Sequence, residues 1–200
     1  MELPSYYQRL AKKYPKVTPE EWKHLERFAS VKYLKKGDTF LRNGKVAHYS
    51  AFVLSGEFKF SFLEEGGTER IVKFGLADDF LANCESYQKK EPSTISITAI
   101  EDAVILRINT RKLDRLYEKH VNLLHVKLKL YQELVEQMTE HQYILSLKSP
   151  VQRYRYLLER RPKVVQRISL TNIARYLYIS REALSRARLV LSSRLSNGAL

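Results

Sequence analysis

Ile168-Ser-Leu-Thr-Asn-Ile-Ala-Arg-Tyr-Leu-Tyr-Ile-Ser-Arg-Glu-Ala-Leu-Ser-Arg-Ala-Arg188 decides how the rest of the chain is read. Ile173 and Leu177 fall four apart, on one face of a helix. Ala174 is small, as required where two helix backbones cross closely. Ile179 occupies a turn, and Leu184 and Ala187 lie three apart on a following helix. This burial pattern predicts a helix-turn-helix. Ser180 is placed to cap the second helix, whose first turn presents Arg181 and Glu182, with Ser185 and Arg186 one turn later. Arginine donates two bonds to guanine O6 and N7, and glutamate accepts from cytosine N4. Ser169, Thr171 and Ser180 carry hydroxyls near helix N-termini, where phosphate is favoured. Tyr178 stands between the helices, where glycine is usual because φ is often positive. Two readings stay open there: a tyrosine strained by about 1 kcal/mol, or a different turn geometry.

The charge surrounding this stretch points the same way. From Lys148 to Arg194, twelve Lys or Arg side chains stand against Glu159 and Glu182 alone, a net +10. The whole chain carries +13, so only +3 is left for the remainder. Charge localised like this fits a polyanionic partner, because neutralised phosphates release counterions. An ordinary helical hairpin with a solvated charged face fits the spacing too. The cap and the Arg-Glu-x-x-x-Arg row inside the +10 segment favour double-stranded DNA.

Upstream, positions 124, 128, 131, 135, 138, 142 and 145 read Leu124, Leu128, Tyr131, Val135, Met138, Gln142 and Leu145. Six of the seven are apolar, at alternating steps of four and three. That is a heptad seam on one helix from about Val121 to Leu147, free of Gly and Pro. It predicts a homodimer, against the alternative of a helix packed on its own barrel. A second edge, Leu123, Leu130, Leu134 and His141, is expected to face the barrel. Ser149-Pro150 ends or hinges this helix, and a helical segment from Val151 to Arg161 closes at Pro162. The predicted domains are residues 1–147 and 148–200.

Between about Ser30 and Thr110 the chain changes to short apolar runs broken by turn residues. The runs are Val31–Leu34, Thr39–Leu41, Ala51–Leu54, Phe58–Phe62, Ile71–Phe74, Ile95–Ile100 and Val104–Ile108. Glycine-bearing turns between β-rich runs predict an antiparallel sandwich or barrel, with Glu65-Gly66-Gly67-Thr68 as a hairpin tip. Thr18-Pro19-Glu20-Glu21 opens a helix to about Phe28 with a capping box. Leu113 and Leu116 mark a short helix after the last run. Asn197-Gly-Ala-Leu200 reads as a frayed tail.

Composition excludes several classes. At 44% hydrophobic and 28% charged the chain is globular rather than disordered. No stretch approaches the ~20 apolar residues that span a bilayer, and Met1 to Tyr14 has no signal-peptide core. A cytoplasmic protein with no membrane partner is expected. Its single cysteine, Cys84, reads as a small buried residue and rules out a multi-cysteine metal or cluster site within one chain. His24, His48, His120, His125 and His141 show no metal-ligand spacing, so no metal is expected, and they read as surface or interface residues. An enzyme of cupin type needs a His/Glu metal set or a nucleophile–base pair, and neither is found. A ligand-sensing scaffold whose helical tail binds a protein is the stronger competitor to DNA binding.

The chain from about residue 18 to 194 resembles the Crp/Fnr family of bacterial transcription regulators. The matching residues are Lys36-Gly37-Asp38, Val53-Leu-Ser-Gly56, Asp79-Phe80, Ala99-Ile-Glu-Asp102 and, most specifically, Ser180-Arg-Glu-Ala-Leu-Ser-Arg186. The resemblance implies an α+β chain. Its parts are an N-terminal antiparallel β-barrel or jelly roll (a double-stranded β-helix of cyclic-nucleotide-binding type), a long dimerisation helix and a C-terminal winged helix-turn-helix. It further implies that Arg181, Glu182 and Arg186 contact bases, that Ser169, Thr171 and Ser180 contact phosphates, and that RNA polymerase is a further partner. Family members that bind cyclic AMP use a cassette beginning Gly-Glu and ending Arg-Ser/Thr. Here Ala82 and Asn83 replace the first pair, and Ser93 and Thr94 the second. The guanidinium for the phosphate and the carboxylate for the ribose are both missing. No cofactor is expected and cyclic AMP is not the expected effector, which leaves another effector or none.

Overall fold

The computed structural model describes residues 5–196, so the 197–200 tail lies outside the described residues. Two compact units emerge. One takes the chain up to residue 60 together with 74–135, and the other takes 61–73 with the chain from 136 onward.

Among the described residues, eight strands form two four-stranded sheets. They are β1 (Ala29–Leu34), β2 (Thr39–Leu41), β3 (Tyr49–Ser55), β4 (Phe58–Leu63), β5 (Glu69–Gly75), β6 (Phe80–Leu81), β7 (Ser96–Ala99) and β8 (Ala103–Asn109). The strand orders are β1-β8-β3-β6 and β2-β7-β4-β5. β8 is central to the first sheet, antiparallel to β1 from Ala29↔Ile108 to Leu34↔Ala103 and antiparallel to β3 on its other side. Seven of the eight strands overlap the apolar runs. The exception, β6, is two residues long and gives no periodic signal.

Gly56 shows why Val53-Leu-Ser-Gly56 cannot vary freely. Its φ is +88°, and a Cβ there would lie 2.5 Å from Ala103 Cβ and 2.9 Å from the Asp102 carbonyl oxygen. Any side chain would push β8 away from the turn. Gly66 and Gly67 likewise have positive φ, and the hairpin closes through Gly67 N–H to Glu64 O at 2.9 Å. The predicted tip is therefore a hairpin turn.

Helices α1 (Ser5–Lys13), α2 (Pro19–Glu26) and α4 (Thr110–Lys119) pack with the barrel. Tyr7, Leu10, Trp22, Leu25, Phe52, Leu106, Ile108, Leu113, Leu116 and Leu123 share one buried cluster. The Thr18–Glu21 capping box opens α2 as expected. α1 is not among the elements expected from the sequence, although Tyr7, Leu10 and Tyr14 repeat at steps of three and four and are all buried. Helix α3 (Cys84–Lys89) is capped by Asn83 and ends at Lys90 with φ 58°. Cys84 is half-buried there, rather than buried.

The long helix α5 spans Val121–Ser146. In the second unit, α6 (Pro150–Arg160) starts at a capping box between Ser149 and Gln152. Pro162 does not simply end this helix. It occupies the first turn of a further short helix, α7 (Pro162–Arg167), where a missing N–H costs nothing. α8 (Leu170–Leu177) and α9 (Arg181–Ser196) complete the chain. Among the described residues no strand follows α9.

Candidate nucleic-acid interface

α8 and α9 are built as their sequence predicts. Ser169 Oγ accepts from Asn172 N–H at 3.4 Å and caps α8. Ser180 Oγ accepts from Ala183 N–H at 3.1 Å and caps α9. Ile173, Ala174 and Leu177 of α8 are buried, as are Leu184, Ala187 and Leu191 of α9. Burying one side of α9 leaves Arg181, Glu182, Ser185, Arg186 and Arg188 exposed.

The turn resolves the Tyr178 alternatives. Tyr178 adopts φ 55°, ψ 45°, the left-handed conformation usually left to glycine, and its N–H donates to Ala174 O. Such a residue costs on the order of 1 kcal/mol or more. Its ring recovers part of that. The Arg70 guanidinium lies 4.7 Å from the ring centroid, and the His141 ring meets it edge-on at 5.7 Å. A cation–π contact contributes about 0.5–2 kcal/mol, comparable with the strain. Nearby, Glu69 Oε2 lies 2.5 Å from Arg175 Nη1 of α8. The 61–73 hairpin thus holds the helix-turn-helix by two side chains, a contact for which the sequence carries no local signal.

Among the predicted base readers, Arg181 Nη1 donates to Thr171 Oγ1 at 2.9 Å, joining one of them to a predicted phosphate contact. Its own backbone N–H and the Ser180 hydroxyl, then the charges of Arg186 and Arg181, hold the Glu182 carboxyl below the usual range. Glu182 is therefore an ionised acceptor. Several cations of the basic segment serve the protein itself. Arg153 donates to the carbonyls of Leu145, Leu147 and Leu177, Arg161 pairs with Glu140 at 2.8 Å, and Arg175 pairs with Glu69. The +10 count of the sequence overstates what a ligand meets.

In the barrel, Asn83, Ser93 and the Thr94 carbonyl are bonded to neighbours in the fold. Asn83 Oδ1 accepts from Ser86 N–H at 3.2 Å, and its Nδ2 donates to Ser93 Oγ at 2.8 Å. Ser93 is 2% exposed, and its hydroxyl donates to Ile95 O at 2.7 Å. The Thr94 carbonyl accepts from Asn43 Nδ2 at 3.0 Å. Asn83 and Ser93, two of the four residues expected to replace the cyclic-AMP set, bond to each other.

Residues 31–120 match the cyclic nucleotide-binding domain family. FixK2 from Bradyrhizobium japonicum superimposes with a TM-score of 0.70 at 20% identity, over 85% of this chain and 86% of that one. The c-di-GMP responsive global regulator CLP of Xanthomonas campestris gives 0.69 at 15% identity, over 88% and 92%. A protein assigned to the Crp/Fnr family from Eubacterium rectale gives 0.68 at 15% identity, over 90% and 86%. The chain has the Crp/Fnr regulator fold. No curated protein matches it in sequence.

Within this Crp/Fnr fold the heptad positions of α5 divide by exposure. Leu124, Leu128, Val135 and Met138 are exposed, at 39%, 53%, 60% and 57%. Tyr131 and Leu145 are half-buried, and the Tyr131 hydroxyl accepts from Gln88 Nε2 at 2.7 Å. On the other edge Leu123 joins the barrel-side core and Leu130 packs against it. His141 lies in the second unit and packs on α8. It is 6% exposed, stacks on Tyr176 at 4.3 Å and donates from Nε2 to Tyr176 O at 2.8 Å. Burial pushes its pKa down, so the ring is neutral.

One histidine pair escaped the spacing test because 96 residues separate its members. His24 Nδ1 and His120 Nε2 lie 3.1 Å apart. Among the described residues no three His, Cys, Asp or Glu side chains are grouped to hold a metal. No helix among them is long and apolar enough to cross a membrane.

Proposed function

We propose that the chain is a sequence-specific DNA-binding transcription regulator that acts as a homodimer, with residues 148–200 as its DNA-binding part. The observation that carries this reading is the exposed row Arg181, Glu182, Arg186 on α9. That row sits on a capped helix whose opposite side is buried in α8 and its neighbours. The side chains leave the first two turns, the part of a recognition helix that meets base edges. Arg181 and Arg186 suit guanine, and ionised Glu182 suits cytosine N4. The Ser169 oxygen is engaged in capping and that of Thr171 accepts from Arg181, which leaves both hydroxyl protons for phosphate, whereas the Ser180 hydroxyl also bonds the Glu182 carboxylate and would have to turn from it to reach one.

The dimer forms through Leu124, Leu128, Tyr131, Val135, Met138 and Leu145. Its four exposed members, Leu124, Leu128, Val135 and Met138, set an apolar row against solvent in the single chain, as an interaction surface does. Affinity for a two-fold duplex, compared with a scrambled duplex of equal length at physiological salt, tests the whole reading. A ratio of about a thousand or more is expected, and a ratio near one contradicts it.

The barrel is a sensor without the cyclic-AMP set. Each missing charge-assisted contact is worth about 1.5–3 kcal/mol, so losing two weakens binding by hundreds-fold or more. Calorimetry with millimolar cyclic AMP is expected to show no binding isotherm. A micromolar Kd contradicts the assignment of Ala82, Asn83, Ser93 and Thr94. CLP, a relative in fold, is responsive to c-di-GMP, so loss of the cyclic-AMP set still leaves a place for another effector.

A further inference from the structure

Leu189 is 67% exposed, and it stands among the polar readers. On α9 the apolar positions with a packing role are Leu184, Ala187 and Leu191, all buried. Leu189 points the other way. It follows Arg186 by three residues and Glu182 by seven, and seven residues bring a helix back to within about 20° of the same direction. Glu182, Arg186 and Leu189 therefore share one outward face, and Leu189 lies about 10 Å along the axis from Glu182. That is about three base-pair steps at 3.4 Å each.

A leucine here cannot donate or accept a hydrogen bond. Laid over the amino or carbonyl edge of a base, it would strip water from a polar group and give nothing back. The floor of the major groove offers one apolar group, the 5-methyl of thymine. The surrounding charge also argues for DNA and against a protein surface, because exposed Arg186 and Arg188 flank Leu189 and Glu182 is the only acidic side chain on α9. We infer that Leu189 is a specificity-determining residue that selects a thymine in each half-site by contact with its methyl group. The inference rests on the DNA-reading function proposed above and names a fourth reading position for it.

Deoxyuridine isolates the methyl, since it pairs as thymine does and lacks only that group. On the duplex that the full chain selects, each thymine is replaced in turn and the affinity measured. Replacement at one symmetric pair of positions is expected to weaken binding about fourfold per half-site, and at other thymines much less. Leu189→Ala is expected to bind thymine and uracil duplexes alike at that pair, while keeping its guanine preferences. Leu189→Met, which keeps an apolar tip, is expected to retain the discrimination. If the parent ignores every thymine methyl yet still selects sequence, or if Leu189→Ala keeps the uracil penalty, this inference fails and the base-reading function stands. If the chain selects no sequence at all, both fail together.

Discussion

Replacing Arg181 and Arg186 together by alanine is expected to leave a protein that binds DNA but has lost most of its choice of sequence. Each bidentate arginine–guanine pair is worth about 1–3 kcal/mol of discrimination, so two per half-site amount to about 2–6 kcal/mol. Both side chains are exposed and leave the buried side of α9 untouched, so the fold does not depend on them. Arg181 gives up only an exposed hydrogen bond to Thr171, of small net worth. The non-specific part of the affinity comes from other cations and from phosphate contacts, and it persists. Competition between the selected duplex and random DNA checks this. The parent should prefer its own site by about three orders of magnitude or more, and the double variant should lose most of that preference. A double variant that discriminates as well as its parent would place the readers elsewhere.

A charge in the α5 seam tests the other half of the account. Val135→Asp puts a carboxylate at a position 60% exposed in the single chain, so the fold of one chain should melt as before. In a dimer the same carboxylate faces its twin across an apolar seam and must be desolvated, at a cost of several kcal/mol per ion. Sedimentation at micromolar concentration should show the parent as a dimer and the variant as a monomer. A monomer also loses the linked second half-site. Linkage of that kind raises affinity by about a hundredfold to ten-thousandfold, and the variant should lose affinity for the selected duplex on that scale. A variant that stays dimeric, or a monomer that keeps the parental affinity, removes the seam from the account.

The features visible in the sequence are those that repeat locally. The heptad of α5, the Ile173–Leu177 and Leu184–Ala187 spacings, and the Thr18–Glu21 capping box each fit within a few turns of chain. The β runs were legible for the same reason, with Thr39–Leu41 matching β2 to the residue. What escaped was short or non-local. β6 has two residues, α3 has six, and α1 hid its apolar steps among lysines and tyrosines. Pro162 looked like a stop because a proline that ends one helix and a proline that starts the next read alike. The partners of Tyr178 lie 108 residues away at Arg70 and 37 away at His141. Neither could be found by spacing, although glycine's absence at that turn marked the place to look. The charge of the basic segment is likewise not all free for a ligand, since Arg153, Arg161 and Arg175 are engaged within the protein.

The most direct test of the central claim, that exposed α9 side chains of a two-fold dimer read a major groove, is selection of bound duplexes from a random pool. The account predicts an inverted repeat with half-site centres about 34 Å apart, G·C pairs under Arg181, Glu182 and Arg186, and loss of the enrichment under Arg181 and Arg186 in the Arg181→Ala, Arg186→Ala variant. A pool that stays random, or an enriched site unchanged by the double variant, would contradict it.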